Sequence, residues 1–265
     1  MSATVAAQMI GADFLKLRRR RGTLAWALLL AAAPLVIFFA VRAGQYSSAP
    51  ATHAPPGGTD SYIDALRILA VFFGPLAAIL IGADAGAGDS SAGVFRDLVV
   101  TGRSRLALFA TRVPAAIALS WLVAALGYAL VVLGTFAFSA GGGPTPSGAM
   151  VLDGLGFTLL SSAVTCAVAV GFSSLTTSKP AALTVLIGWQ LVASPILTNI
   201  SSLGSARELV LREAIDHFSP VGLGDRGGRS GSAVTLGTGT AVIVMACWVL
   251  VFGALGAWRT RTMDA

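Results

Sequence analysis

"DFLKLRRRRGTLAWALLLAAAPLVIFFAV", residues 13–41, decides the fold. Five cationic side chains fall within six positions, Lys16 and Arg18 to Arg21, and the apolar run Leu24 to Val41 follows without a charge. A basic cluster before an apolar run has three readings: a secretion signal, a nucleic-acid patch, or the foot of a membrane helix. The run has 18 residues, longer than a signal-peptide core normally is. The "FLK" precedes the arginines, whereas a twin-arginine signal places its apolar residues after them. A nucleic-acid surface would need a folded basic face, and here the cluster abuts a lipid-length segment. The membrane reading remains.

The rest of the chain agrees. Of 265 residues, 55% are hydrophobic and only 11% charged, with mean hydropathy +0.80. Soluble domains carry roughly 25% charged residues, so this chain lacks the polar groups to cover a water-facing surface. Spanning a bilayer takes about 20 apolar residues per helix. Six segments qualify: about 24–41, 66–83, 115–138, 152–172, 181–200 and 233–258. The expected fold is therefore all-α integral membrane, a single transmembrane domain over 1–265, led by an interfacial helix over 5–21. None of the six segments carries Asp, Glu, Lys or Arg near its middle. Cys166 and Cys247 lie in apolar runs far apart and are read as small packing residues.

The formal charge of +6 and pI near 10.1 report orientation. Cytoplasmic connections of membrane proteins are enriched in Lys and Arg. One set of connections holds twelve cations against five acids, net +7; the other holds six against seven, net −1. Both termini are thus expected in the cytosol, with Lys16, Arg18, Arg19, Arg20 and Arg21 as a membrane-interface anchor at anionic headgroups.

Two connections carry information. In "GADAGAGDSSAGVFRDLVVTGRSRLALFATR", residues 82–112, Asp84 is expected to end the second span and a Gly-rich link to follow. Ser90 or Ser91 then caps a short cytosolic helix over 89–104, with Val94, Phe95, Leu98 and Val99 as its apolar stripe and Arg96 and Asp97 off it. Thr101-Gly102 ends that helix, and Arg103 starts the return to the bilayer. The outer connection 201–232 opens with "SARE", in which Ser205 and Glu208 match a capping box. Glu208 and Arg212 stand at i,i+4, and the apolar face runs on to Phe218. This segment is expected to be helical and is a candidate external lid. "SAGGGPTPSG", 139–148, reads as an outer turn.

Together, "ADFLKLRRRRGTLAW", the 82–112 connection and "AIDHFSPVGL" before the last span resemble an ABC-2 type permease, the transmembrane subunit of a bacterial ABC exporter with type V exporter-like architecture. The resemblance covers nearly the whole chain through loose motifs. It implies that 89–104 is a coupling helix gripping a separate ATPase through Ser91, Val94, Phe95, Arg96, Asp97, Leu98, Val99 and Arg103. It implies two cytosolic ABC ATPase subunits, a second permease (a copy or a relative), and the plasma membrane as location. The substrate path carried over is Phe38, Phe39, Phe72, Phe73, Trp189 and Gln190. Gln190 sits near the middle of its span, where an unpaired amide is costly, so it bonds across helices or faces a wet cavity.

The sequence lacks GxxxxGK[ST], so no ATP site, cofactor or metal is expected in this chain; ATP and Mg belong to the partner. The expected function is export of a hydrophobic or amphipathic cargo: a drug, an antibiotic peptide or a lipid. The alternatives are a secondary transporter or channel and a non-transporting assembly or immunity factor. Ion-coupled carriers place ionisable groups within the membrane, and the spans read from sequence have none. No nucleophile and base pair up in the spans, which argues against an intramembrane enzyme.

Overall fold

Long apolar runs without water to satisfy their backbones must form helices, and they do. A computed structural model describes residues 3–91, 93, 104–139, 144–220, 223 and 236–262. Among them the protein is all-helical, and six helices are long and apolar enough to cross a membrane. The chain begins with α1 (Ala3–Arg19), which breaks at Arg20 (φ −76°, ψ 77°). The first span is α2 (Arg21–Ser48). The second is α3 (Gly58–Arg67), a π-helical segment (Ile68–Phe73) and α4 (Gly74–Ser91). The third is α5 (Arg105–Ala137) and the fourth α6 (Gly148–Thr176). The fifth is α7 (Lys179–Gly188), a second π-helical segment (Trp189–Ala193) and α8 (Ser194–Asn199). A 3-10 segment (Ser201–Leu209) and α9 (Leu211–Asp216) precede the sixth span, α10 (Thr238–Thr262).

Both ends of the described chain lie at one end of the bundle. Thr111 Oγ1 donates to Asp13 Oδ2 at 2.8 Å, and Arg105 Nη1 donates to the Arg261 carbonyl at 3.2 Å. At the opposite end, Thr59 binds the Pro144 carbonyl through its amide (2.7 Å) and its hydroxyl (2.9 Å).

The helices outrun the apolar windows read from sequence, and the difference matters most at the second span. The Gly-rich stretch after Asp84 is not a link: α4 continues as helix through Ser91. Its glycines serve close approach rather than flexibility. A Cβ at Gly82 would lie 2.7 Å from the Ala169 Cβ, and one at Gly86 would lie 2.1 Å from Ser173 Oγ. Small residues one turn apart on each helix let two backbones meet, the usual solution where lipid gives no hydrophobic drive. Ser173 and Ser174 seal the contact by donating to the Gly82 and Gly86 carbonyls at 3.2 and 3.3 Å. Ser90 and Ser91 thus lie within α4, and the short helix they are expected to cap falls largely outside the described residues.

The two π-helical segments have one cause. Each runs into a proline at its second following residue, Pro75 and Pro195. The Gly74 amide reaches back five residues to the Leu69 carbonyl, so Ala70 loses its usual donor. Val71 loses its own because Pro75 has no N–H. Side chains repair both: Ser161 Oγ donates to the Ala70 carbonyl at 3.0 Å, and Gln190 Nε2 to the Val71 carbonyl at 3.5 Å.

Candidate functional site: a mid-span cavity and a buried ionic network

Between the second, fourth, fifth and sixth spans lies a cavity of about 160 Å³. Its wall is mostly apolar and aromatic: Phe172, Trp189, Trp248 and Phe252 form a chain of ring contacts at 5.4–5.8 Å. Its polar members are Ser161, Thr165, Gln190, Arg212 and Asp216. The last two come from α9, which folds back between the helices. Trp248, ten residues into α10, donates its indole N–H to the Leu209 carbonyl at 2.9 Å. At 1.5 Å per residue, that is ~15 Å below the start of the helix.

The 201–216 segment therefore departs from its sequence reading. Ser205 caps no α-helix: the 3-10 segment kinks at Gly204 (φ 51°), and Val210 is extended (φ −72°, ψ 124°). That extended residue puts Glu208 and Arg212 on different helices, so the expected i,i+4 pair does not form. Arg212 instead sits 3.6 Å from Asp216 and stacks on the Phe72 ring at 5.5 Å. Phe218 is half-buried against the core, edge-on to His217. The expectation that no ionisable group lies at span depth also fails, because α9 carries Arg212 and Asp216 there.

The expected substrate path divides. Trp189 and Gln190 line the cavity, and Gln190 both crosses to another helix and faces the void. Phe38 and Phe73 instead line a broad external groove of about 710 Å³ between the first two spans, with Leu30, Pro34, Ile37 and Ile68. Phe39 is core, stacked on Phe138 at 6.0 Å. Phe72 lies under Arg212.

The second feature joins five elements at the end holding both termini. Asp84 and Asp89 are each 3% exposed on α4. Arg20 bridges them, Nη1 to Asp84 Oδ1 at 2.8 Å and Nη2 to Asp89 Oδ1 at 3.2 Å. Lys179, at the start of the fifth span, reaches Asp84 at 2.7 Å. Lys16 of α1 reaches Asp89 at 2.5 Å, and Arg112 of the third span at 2.8 Å. Thr23 donates to Asp84 Oδ2 at 3.2 Å. Gly88 makes room, since a Cβ there would meet Arg20 Nη1 at 2.1 Å. Carboxylates this buried persist only when several charged partners compensate them. Within the same cluster, burial pushes the Asp13 carboxyl up, outweighing the Thr111 hydrogen bond and the nearby Arg112 and Lys16 charges.

Of the anchor residues, Arg18, Arg19 and Arg21 are exposed, whereas Lys16 and Arg20 turn inward to the network. The one sequence signal for it was the pair of carboxylates five residues apart in an otherwise small, apolar stretch. Of the expected coupling residues, Ser91 ends α4, while Val94, Phe95, Arg96, Asp97, Leu98, Val99 and Arg103 lie outside the described residues. No family model matches the chain, and no curated protein matches it.

Proposed function

We propose that this chain is the membrane-spanning subunit of an ATP-driven exporter of the ABC-2 type. In this reading it lies in a bacterial plasma membrane with both termini cytosolic. It pairs with a second permease and takes its work from two ATPase subunits bound at 89–104. Its cargo is hydrophobic or amphipathic, in keeping with the aromatic cavity wall. The net +7 of one set of connections supports the orientation.

One observation carries the reading. Residues 92–103 are bracketed by Ser91 at the end of α4 and Ser104 at the start of α5. Immediately beside them the Asp89–Arg112 ion pair ties these two helices, and Asp84–Lys179 extends the tie to the fifth span. A push on 92–103 would thus move several spans as one body.

The test replaces 92–103 by a Gly/Ser linker of equal length and co-expresses the chain with candidate ABC ATPase subunits from the same genome. Co-purification is expected to be lost while the chain alone still elutes as a single folded species. Undiminished co-purification would overturn the assignment. A second reading, an ion-coupled carrier, is favoured by Arg212 and Asp216 at span depth. It requires transport that collapses with a proton ionophore and persists without ATP.

A further inference from the structure

The cavity has a shape and a polarity of its own. Arg212 stands at the level of Phe72, and the void runs from there to Ile79, Val168, Phe172 and Phe252. Residues 70 to 79 of one helix flank it, a length of ~13 Å at 1.5 Å per residue. Its charged groups, Arg212 and Asp216, both belong to α9 at one end, and the opposite end is lined by aromatic and branched side chains. A long apolar void with a charged end matches one kind of guest: a single chain with a polar head.

Arg212 sets the head's chemistry. Its Nε is buried and has no hydrogen-bond partner, because Asp216 stays at 3.6 Å. A buried donor left unmade costs about 1–3 kcal/mol, and more when charged, so a guest that supplies an acceptor there recovers that cost. A carboxylate does so best, since its two oxygens fit the planar guanidinium fork. Asp216 Oδ2 approaches that same Nε without bonding it, so the head enters beside Asp216 and completes the donor that Asp216 leaves unmade.

We propose that this cavity binds a single-chain carboxylate amphiphile, a medium-chain fatty acid in chemical class, with the head on Arg212 and the tail between Trp248 and Phe172. A transport role for the site rests on the exporter reading above; its occupancy does not.

Tryptophan quenching tests it on the full chain in nanodiscs. Trp26 and Trp258 face outward and Trp121 is exposed, so replacing these three by Phe leaves Trp189 and Trp248 as reporters in the cavity wall. The probes are 11-bromoundecanoic acid, the matching alcohol and the matching trimethylammonium compound, all carrying the quencher at the tail. The acid is expected to quench saturably, and the other two only in proportion to their partition into lipid. Arg212→Gln should weaken the acid by about tenfold, the loss of one charge-assisted contact. Ile79→Trp fills the tail end with a ring and should abolish the saturable phase, with helicity by circular dichroism confirming the fold. Equal saturable quenching by alcohol or ammonium, no saturable phase for the acid, or an unchanged affinity in Arg212→Gln would overturn the site. If the acid binds as expected but does not stimulate ATP turnover by the co-expressed pair, the site stands and its role in ATP-driven export falls.

Discussion

Asp89 ties together three cations from distant parts of the chain, and its surroundings make a quantitative prediction. Lys16, Arg20 and Arg112 converge on it, and Arg112 is itself only 5% exposed. Removing one member of a buried pair strands the other, at a cost of about 3–5 kcal/mol. Asp89→Ala should therefore lose about 3 kcal/mol in a denaturant titration in detergent. Lys16→Gln should cost under about 1 kcal/mol, because Lys16 is a third exposed and its pairing is screened. A smaller loss for Asp89→Ala than for Lys16→Gln would refute the network as described. Asp13 predicts a pH dependence. Its folded-state pKa lies above the ordinary carboxylate value, so the folded state holds the proton more tightly. Its contribution favours folding in acid and is lost as pH rises from the ordinary value through the raised one. Asp13→Asn should then match or exceed the wild type in thermal midpoint at neutral pH and lose that advantage near about pH 4.

At the scale of elements, two devices determine how the second span packs. Gly86→Ala drives a methyl into Ser173 and the Val170 carbonyl and should destabilise by about 1–3 kcal/mol. Gly156→Ala faces open space on the fourth span and should be neutral or stabilising by up to about 1 kcal/mol. The π-helical break predicts a coupling. Gln190→Leu removes the donor that covers the Val71 carbonyl, worth about 1 kcal/mol for an interhelical bond in a membrane. Pro75→Ala returns a backbone N–H to that carbonyl, so the double variant should show a coupling of about 0.5–1 kcal/mol in a thermodynamic cycle. Strict additivity would show that Gln190 is not repairing the break. These devices also mark the limit of what sequence conveys. Six apolar runs of bilayer length were plain in it. That Gly86 sits inside a helix was not, because glycine serves both turns and close contacts, and only the opposing Ser173 distinguishes them.

For the molecule as a whole, hydropathy announced the spans because lipid imposes one requirement on every residue of a span. The contacts that assemble the candidate sites obey no such local rule. Arg20 meets Asp84 across 64 residues, and Lys179 meets it across 95. The return of α9 to the depth of Trp248 depends on Gly204 and Val210 breaking what would otherwise read as one capped helix. The mid-span places of Gln190 and Trp189 were legible; Arg212 and Asp216 beside the spans and the Asp84–Asp89 network as a clamp were not. Together these parts support the proposal that ATP hydrolysed by a partner moves the spans around an amphiphile. The most direct test is ATP-dependent accumulation of a fluorescent single-chain amphiphile in inverted membrane vesicles containing this chain and the ABC ATPase that co-purifies with it. Accumulation is expected with ATP, to be abolished when the catalytic glutamate of the ATPase is replaced, and to survive a proton ionophore. Accumulation that ignores the ATPase variant and collapses with the ionophore would contradict the account.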